Sequence, residues 1–475
     1  MLTPKLPCYP SVLTILLLTF ALPLAGDELA SVLAEIDADP ALGRAIWAFD
    51  VTDSEGREIA SRNSDQLMAT GSVRKLFTAA IVAECEGLSQ PIATDVFLRG
   101  SAGAGGVWNG ALVLEASGDP TIGGRWEYET DRLVRLRPIA TELKRRGVRS
   151  LRDGVVIDVS AFESELIGSA WKWDNLTSSY AAPIDAASFN ENAVVALVVP
   201  RGCGKPVVDV EPPWVAARVE TDCSDTALAV ELSGLREITV RGSMRDVERD
   251  TIFLAQRRPA EALGDAMRVA LAEEGIIADS VAVERHSSLE EPRHATVPIA
   301  RVESPPIGAL LGTVLADSSN LYSEMLFKRV SRWRGVASWH GSLEVERGYL
   351  THQVGLEPGS FRFDDGSGLS PENLVTARST VELLRHVRSA PGGRERWEGW
   401  LARPGDDGTL RKRLLPLRGR LFAKTGTIDG VAGLAGWLYR DGGSPVYFAI
   451  FVNNHATAGR DVSQAIDRIV LAIAQ

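Results

Sequence analysis

The spacing of apolar positions predicts both helices and strands in the first stretch of the chain, residues 27–95. A helix is predicted over 29–36, and strands over 45–51 and 58–60 flank a turn that contains glycine. A second helix begins at Ser72, because apolar residues follow it at helical spacing. Short strands therefore lead directly into this helix.

The pattern changes near residue 96, where short β-like runs separated by turns replace the helical spacing. A single helix is predicted among them, over 260–274, before a Pro-rich, charged stretch over 290–306. We therefore interpret residues 96–298 as an inserted, mainly β region of two subdomains. The predicted strands cover 111–116, 155–159, 194–199, 207–210, 228–232 and 237–240.

Helical spacing returns in the last stretch, residues 299–475. Three consecutive strands follow, and the chain closes on an amphipathic helix. Helices and strands at both ends of the sequence indicate one α+β domain, 27–95 plus 299–475, that the insertion divides. The predicted helices cover 307–315, 321–330 and 376–387, and the predicted strands cover 421–427, 433–439 and 446–452.

The composition narrows the class of protein. The chain has 475 residues, a hydrophobic content of 45% and a formal net charge of −11. This length and hydrophobic content are typical of a globular protein with a large core. The acidic balance and the lack of a long basic run argue against nucleic-acid binding.

The first 25 residues have the pattern of a secretory signal peptide. Lys5 precedes a short apolar stretch, and the small pair Ala25-Gly26 offers a cleavage site before acidic residues. The apolar stretch is short for a membrane span, although an uncleaved anchor is the alternative. The sequence therefore predicts export.

The four cysteines and six histidines do not form a metal-binding motif. Cys203 and Cys223 lie in a polar region, where an oxidising compartment permits a disulfide. Cys85 follows an apolar run and is expected to be buried. We therefore expect no metal, and nothing in the sequence calls for a cofactor.

Ser72 and Lys75 form the first candidate chemical motif. They are three positions apart at the head of a predicted helix, so both side chains can lie on one face. The pKa of a buried lysine can fall far enough for the amine to act as a base. Serine and lysine at this spacing are therefore a candidate nucleophile and proton acceptor.

Ser-x-x-Lys alone is weak evidence, because about one or two occurrences are expected by chance in a chain of this length. A second one, Ser169 to Lys172, lies in a Trp-rich loop without an apolar helix behind it. Ser-x-Asn occurs at Ser61, Ser188 and Ser318, but Lys424-Thr425-Gly426 occurs once. Ser318 and Asn320 also stand at a helix start, where an ordinary capping role is the alternative.

The order of the motifs carries more weight than any one of them. Ser72-x-x-Lys75, Ser318-x-Asn320 and Lys424-Thr425-Gly426 follow in the order typical of serine acyl-transferases that react with penicillin. Ser318 lies 246 positions after Ser72, and a large insertion there resembles the class C low-molecular-mass penicillin-binding proteins, the D-alanyl-D-alanine carboxypeptidase/endopeptidase family. Other stretches that resemble this family are 118–120, 180–183, 190–192, 365–370 and 408–410. One departure is Ala-Thr-Gly at 69–71, where family members often carry Pro-Ala-Ser.

This resemblance implies a penicillin-binding/β-lactamase-like domain and a role for each motif residue. Ser72 is the implied nucleophile and Lys75 its base, while the cationic Lys424 helps to keep Lys75 neutral. Ser318 is implied to relay a proton to the leaving group, and Asn320 to orient the substrate amide. The implied substrate-binding residues are Thr425, Gly426 and Thr427, of which the two threonines take the terminal carboxylate.

A Trp-rich segment of the insertion resembles the part of this family that reaches toward the peptide substrate. Trp171, Asp174 and Tyr180 are the implied contacts, and Asp174 suits an amine on the peptide side chain. The alternative is a loop that packs two domains together.

The resemblance implies an exported, periplasmic serine D-Ala-D-Ala carboxypeptidase that also acts as a D,D-endopeptidase. Its implied partners are peptidoglycan peptides ending in D-Ala-D-Ala or in D,D-cross-links, and β-lactam antibiotics; peripheral association with the wall or membrane is a further expectation. Two alternatives stay open: a β-lactamase or esterase that releases penicillin quickly, and a wall-binding protein without catalysis. Intact motifs argue against the second.

Overall fold

The computed structural model describes residues 25–125, 131–199, 206–221, 228–242, 250–286, 296–440 and 443–475. The helices are α1 (Ala25–Ala38), α2 (Lys75–Cys85), α3 (Arg137–Arg145), α4 (Pro259–Glu273), α5 (Ile307–Leu315), α6 (Asn320–Arg329), α7 (Trp339–Tyr349), α8 (Ala377–Ser389), α9 (Gly393–Trp400) and α10 (Gly459–Ile473). The strands before residue 200 are β1 (Ile46–Thr52), β2 (Glu58–Arg62), β3 (Met68–Ala69), β4 (Pro91–Ala102), β5 (Val107–Glu115), β6 (Ser150–Leu151), β7 (Val155–Asp158) and β8 (Ala193–Val199). The remaining strands are β9 (Val207–Glu211), β10 (Ala216–Thr221), β11 (Ala229–Leu232), β12 (Glu237–Gly242), β13 (Asp250–Ala255), β14 (Val281–Glu284), β15 (Thr296–Pro306), β16 (Phe361–Arg362), β17 (Leu374–Val375), β18 (Leu421–Ile428), β19 (Val431–Tyr439) and β20 (Pro445–Asn453).

A five-stranded antiparallel sheet joins the two ends of the chain in the order β18-β19-β20-β1-β2. Successive side chains of a strand point to opposite faces, so the apolar run of β20 buries residues on both sides. Phe448 and Ile450 pack in the cluster that includes α1 and α10, whereas Ala449 and Phe451 pack toward α2 and α8. The sheet is therefore covered on both faces.

The helices behind the sheet position the segments that carry the sequence motifs. Residues Lys75 to Val82 of α2 are buried, and the whole of α6 from Leu321 to Arg329 is buried as well. A helix that is buried on every side needs apolar or paired residues all round, which α2 supplies with its apolar run. The edge strand β18 contacts the turn before α2, and its Lys424 hydrogen-bonds to Ser318, two residues before α6.

Two paired strands, β4 and β15, lie at the ends of the predicted insertion. β4 and β15 are antiparallel, with Thr94 opposite Val302, and they continue into a six-stranded mixed sheet, order β14-β7-β5-β4-β15 with β6 beside β5. Two three-stranded sheets, β13-β8-β9 and β10-β12-β11, share a smaller apolar cluster. The insertion also contains α3 and α4.

The predicted α+β class is confirmed by the mixture of helices and antiparallel and mixed sheets. The sequence pattern missed the strands β4, β10, β13, β14 and β15 and the helices α3, α7 and α9. The predicted division at 95/96 and 298/299 falls inside the β4–β15 pair, and the division into 27–95 plus 299–475 and 96–298 stays a prediction.

Three sequence predictions concern the termini and the cysteines. Residues 1–24 of the predicted signal peptide, and Cys203 and Cys223, lie outside the described residues. The expected burial of Cys85 is wrong, because this last residue of α2 is exposed. Within the described ranges, no helix is long and apolar enough to cross a membrane, and no group of three metal-ligating side chains occurs.

Candidate active site

Ser72 and Lys75 lie on one turn at the start of α2. A 3-10 turn, Gly71–Arg74, carries Ser72, and the α-helix begins at Lys75. Lys75 Nζ lies 2.9 Å from Ser72 Oγ, 2.6 Å from Asn320 Oδ1 and 2.7 Å from the Ser367 carbonyl oxygen. Ser72 is partly exposed, whereas Lys75 is fully buried. A solvent-accessible hydroxyl therefore rests against a buried amine.

The partners of Lys75 determine which atom can take a proton. The Asn320 amide nitrogen donates to the Tyr180 carbonyl oxygen at 2.8 Å, which fixes the amide so that Oδ1 faces Lys75. Asn320 Oδ1 and the Ser367 carbonyl can only accept, so a neutral amine gives its two N–H groups to them. Its one lone pair is then left for the Ser72 hydroxyl, as a general base requires.

Burial is the main cause of the low basicity of Lys75. Desolvation, with a smaller contribution from the nearby Arg74, lowers the pKa of its amine to about 7. The carboxylates of Glu324 and Asp365 oppose this shift. A substantial fraction of Lys75 is therefore neutral at neutral pH.

Lys424 and Ser318 form a second lysine–serine pair beside the first. Lys424 lies on β18, and its Nζ donates to Ser318 Oγ and to the Thr425 carbonyl oxygen, both at 2.8 Å. Burial, with the charge of Lys75, lowers the pKa of Lys424 well below its usual value. Because two positive charges so close together repel each other, the state in which one of the two lysines is neutral is favoured.

Ser318 does not cap α6. The N-cap is Ser319, whose side chain accepts from the Tyr322 backbone N–H at 3.4 Å. Ser318 instead has a positive φ of 64°, a conformation that non-glycine residues adopt at a cost. Its hydroxyl is therefore directed at Lys424 by a strained backbone, and the capping alternative applies to its neighbour.

Small residues bring β18 close to the turn that carries the serine. A Cβ added at Gly426 would lie 2.5 Å from the Thr70 carbonyl oxygen, and one at Gly71 would lie 2.8 Å from the Thr427 backbone nitrogen. Gly71 also has a φ of 49°. Ala-Thr-Gly at 69–71 thus forms a workable turn before Ser72, and it lies against the backbone of Thr427, whose side chain is exposed.

A loop over 365–370 supplies the carbonyl that holds Lys75. Asp365 binds this loop from within, accepting from the backbone N–H groups of Gly368 at 2.7 Å and Ser370 at 2.6 Å. Glu324 of α6 accepts from the N–H of Ser367 at 2.7 Å. Burial raises the pKa of Glu324 to about 7, which the charge of Asp365 reinforces. The position of Lys75 thus depends on two buried carboxyl groups.

Arg74 anchors the same loop from the other side. Its Nε donates to the Asp365 carbonyl oxygen at 2.8 Å, and its two terminal nitrogens donate to Glu346 of α7 at 2.7 Å each. Neither Glu324 nor Glu346 belongs to a motif, and sequence reasoning missed both. The signal for Glu324 was available, because it lies one helical turn after Asn320.

The Trp-rich segment is only partly at the site. Tyr180 contacts Asn320 through its carbonyl oxygen, and the residue is 50% exposed. Asp174 is exposed. Trp171 is buried, with its Nε1 donating to Asp365 at 3.0 Å and its ring edge against Trp339. This burial favours the packing alternative for Trp171.

The alternative motif beginning at Ser169 lies elsewhere. Ser169 Oγ donates to Asp364 at 3.0 Å, and Lys172 Nζ reaches Asp429 at 2.9 Å, so the two side chains have separate partners. They do not form a serine–lysine pair.

Comparisons with known proteins identify the family of the chain. A family model described as D-Ala-D-Ala carboxypeptidase 3 (S13) matches residues 29–473. The chain belongs to this S13 family. The S13 assignment confirms the predicted family resemblance, and with it the predicted class, a serine-type D-Ala-D-Ala carboxypeptidase and hence a hydrolase.

Several relatives share nearly the whole chain. The D-alanyl-D-alanine carboxypeptidase of Actinomadura sp. (strain R39) is 29% identical, over 91% of this chain and 82% of its own. The D-alanyl-D-alanine carboxypeptidase DacB of Haemophilus influenzae is 25% identical, over 85% and 84%. The crystal structure of penicillin binding protein 4 from H. influenzae has the same fold, with a TM-score of 0.79 and 21% identity over 94% and 99% of the two chains. The catalytic role of each S13 motif residue in this chain stays a prediction.

Proposed function

We propose that this S13 enzyme cleaves D-Ala-D-Ala peptides of peptidoglycan through an acyl-enzyme on Ser72, both as a carboxypeptidase and as a D,D-endopeptidase. The contact between the buried Lys75 amine and Ser72 Oγ, 2.9 Å apart, is the observation that carries this proposal. It supports a nucleophile whose proton acceptor is in place before substrate binds.

In the acylation step, Ser72 Oγ attacks the carbonyl carbon between the two D-residues. The hydroxyl proton passes to Lys75 Nζ, and the carbonyl oxygen becomes an oxyanion. Backbone N–H groups of Ser72 and Thr427 are the proposed oxyanion donors, each worth about 3–4 kcal/mol in other enzymes. The close approach of Gly71 to Thr427 supports this pairing.

The C–N bond then breaks, and the leaving amine takes a proton through Ser318 Oγ. The 2.8 Å contact between Ser318 Oγ and Lys424 Nζ supports this relay, because the lysine can resupply the proton. Thr425 and Thr427 bind the terminal carboxylate, and Gly426 between them lets β18 lie close to the turn that carries Ser72. Water finally hydrolyses the ester and returns Ser72 to its hydroxyl form.

The substrate and the location follow from the same proposal. Asp174 and Tyr180 are proposed contacts for the peptide side chain, with Asp174 binding an amine. We also propose export to the periplasm, where peptidoglycan is found, with peripheral association to the wall or membrane. The penicillin binding protein 4 of H. influenzae has been solved with a β-lactam, which supports β-lactams as ligands of this cleft.

Labelling with a fluorescent penicillin tests the proposal. The purified protein and Ser72→Ala are incubated with the label, and retention is followed by gel and by intact mass. A long-lived adduct on the wild type alone is expected. Rapid turnover of the label indicates a β-lactamase instead, and equal labelling of Ser72→Ala overturns the nucleophile.

The release of D-alanine from a D-Ala-D-Ala pentapeptide and the cleavage of a cross-linked muropeptide are then measured with the same preparations. Both activities are expected for the wild type and neither for Ser72→Ala. A wild type that acts on neither substrate and binds no penicillin contradicts the proposed activity and favours a wall-binding protein without catalysis.

A further inference from the structure

Arg125, which lies in the insertion between β5 and α3, reaches the loop that carries Ser318. Its Nε and Nη2 donate to the two carboxylate oxygens of Glu191 at 2.7 and 2.9 Å. Its Nη1 donates to Asp317 Oδ2 at 2.8 Å. Asp317 directly precedes Ser318, so one guanidinium group joins the insertion to the residue next to the proposed proton relay.

The carboxylate that holds Arg125 is itself fixed. Asn190, Glu191 and Asn192 have positive φ angles of 52°, 55° and 50°, which three consecutive non-glycine residues rarely adopt. Side-chain hydrogen bonds maintain this turn, because Asn190 Nδ2 donates to the Ala193 carbonyl and Asn192 Nδ2 to the Pro183 carbonyl. Glu191 is therefore presented by a backbone that its neighbours hold in place.

Further contacts restrict the guanidinium group. The backbone N–H of Arg125 donates to Glu191 Oε1 at 2.9 Å, and the hydroxyl of Tyr322 donates to the same oxygen at 3.2 Å. The Arg125 guanidinium also lies over the Tyr322 ring, 5.4 Å from its centre. Because Tyr322 belongs to α6, the arginine is located relative to the helix that Ser319 caps.

The exposure of Arg125 and Asp317 indicates that their ion pair positions the Ser318 loop and adds little to the stability of the fold. The side chains of Arg125 and Asp317 are 32% and 40% exposed. Ion pairs with such exposure contribute little to folding. A two-pronged contact to Glu191 nonetheless fixes the direction of the remaining nitrogen, so the contact to Asp317 has a defined geometry.

We propose that Arg125 is a positioning residue: by holding Asp317 it keeps Ser318 in the left-handed conformation that directs its hydroxyl at Lys424. The inference rests on the proposed role of Ser318 in the reaction. It makes the insertion part of the catalytic machinery, because neither Arg125 nor Glu191 lies in the body that carries the three motifs.

The test compares Arg125→Ala with Arg99→Ala on a soluble D-Ala-D-Ala peptide. Arg99 is a matched control, because it makes a two-pronged contact with Glu284 inside the insertion at a similar exposure of 28% and does not contact the Ser318 loop. For Arg125→Ala, kcat is expected to fall about 10- to 100-fold while KM changes less than about 3-fold, since small displacements of a catalytic group cost this much. Arg99→Ala is expected to keep the wild-type kcat, and the Tm values of the two variants are expected to be similar.

Asp317→Asn and the double variant, Arg125→Ala with Asp317→Asn, test whether Arg125 acts through Asp317. If Arg125 acts through Asp317, Asp317→Asn lowers kcat as well, and the double variant is no slower than the slower single variant. Multiplicative losses in the double variant, or an unchanged kcat in Arg125→Ala, overturn the inference. A wild type without peptidase activity or penicillin labelling overturns the proposed function instead, so the two failures are distinguishable.

Discussion

Adjacent serines before α6 have different surroundings and therefore different expected roles. Ser319 accepts a backbone hydrogen bond at the helix start, whereas Ser318 contacts Lys424 from a left-handed backbone. The motif Ser-x-Asn alone does not separate these two roles, because both serines precede the same helix. The separation depends on the φ angle of Ser318, which the pattern of residues does not specify.

Substituting each serine by alanine separates the two roles. Ser319→Ala is expected to lower the free energy of unfolding by about 1 kcal/mol through loss of the cap, while kcat stays near the wild-type value. Ser318→Ala is expected to lower kcat by at least about 100-fold with little change in stability. Denaturant unfolding and peptide hydrolysis measure both quantities, and a loss of kcat confined to Ser319→Ala contradicts the assignment.

The low pKa of Lys75 predicts the pH dependence of acylation. Its neutral form, the proposed acceptor of the Ser72 proton, increases as pH rises through about 7. The second-order rate of penicillin acylation is therefore expected to rise about tenfold per pH unit below 7 and to level off above it. Stopped-flow labelling between pH 5 and 9 measures this profile, and a rate that is flat across this range contradicts the role of Lys75 as base.

At the scale of elements, the approach of the Ser72 turn to β18 depends on glycine. Gly71 has a positive φ, and a Cβ added to it would lie 2.8 Å from the Thr427 nitrogen, with the two next nearest atoms also in the backbone of β18. An added methyl group must therefore displace the strand or the turn, because neither can move as a flexible side chain does.

Gly71→Ala is therefore expected to lower both stability and penicillin labelling, with a loss in unfolding free energy of about 1–3 kcal/mol. Gly348→Ala is the matched control, because Gly348 lies inside α7 with nothing within 4 Å of its added Cβ. There alanine is expected to raise stability by up to about 1 kcal/mol. Thermal unfolding and labelling kinetics of both variants check this, and a Gly71→Ala protein with normal labelling contradicts it.

The elements near the motifs could be predicted from sequence, whereas those at the base of the insertion could not. α6 and β18 lie within one residue of their predicted bounds, and α2 begins three residues after its predicted start at Ser72. β15 contains Pro298, Pro305 and Pro306, which argue against a strand. It lies at the edge of its sheet, where a missing N–H is tolerated, and edge position is a property of the tertiary fold.

At the scale of the whole molecule, buried contacts join residues that are far apart in sequence. Arg74 and Glu346, 272 positions apart, form a two-pronged ion pair whose side chains are 0% and 1% exposed. The three motifs could be ordered from sequence, but this pair could not be found there, because burial and pairing depend on the packed helices.

Removing the charge of one partner tests how much the Arg74–Glu346 pair contributes to the free energy of unfolding. Glu346→Gln leaves a buried guanidinium without its counter-charge, so a loss of about 3–5 kcal/mol in unfolding free energy is expected. The control is Glu372→Gln, which breaks the exposed pair with Arg362 and is expected to cost less than about 1 kcal/mol. Urea denaturation of both variants measures the difference, and equal losses contradict the expected effect of burial.

The antiparallel pairing of β4 with β15 has a consequence for how the chain reaches its active form. Because the two strands lie side by side, the chain between them closes as one long loop on this strand pair. Loop-closure entropy grows only with the logarithm of length, so a loop of roughly 200 residues costs on the order of 3 kcal/mol more to close than one of roughly 10. Once β4 and β15 have paired, only the short segments from Ser72 to β4 and from β15 to Ser318 separate the two serines. The wide gap between the motifs in sequence therefore adds little to the entropy cost of assembling the site.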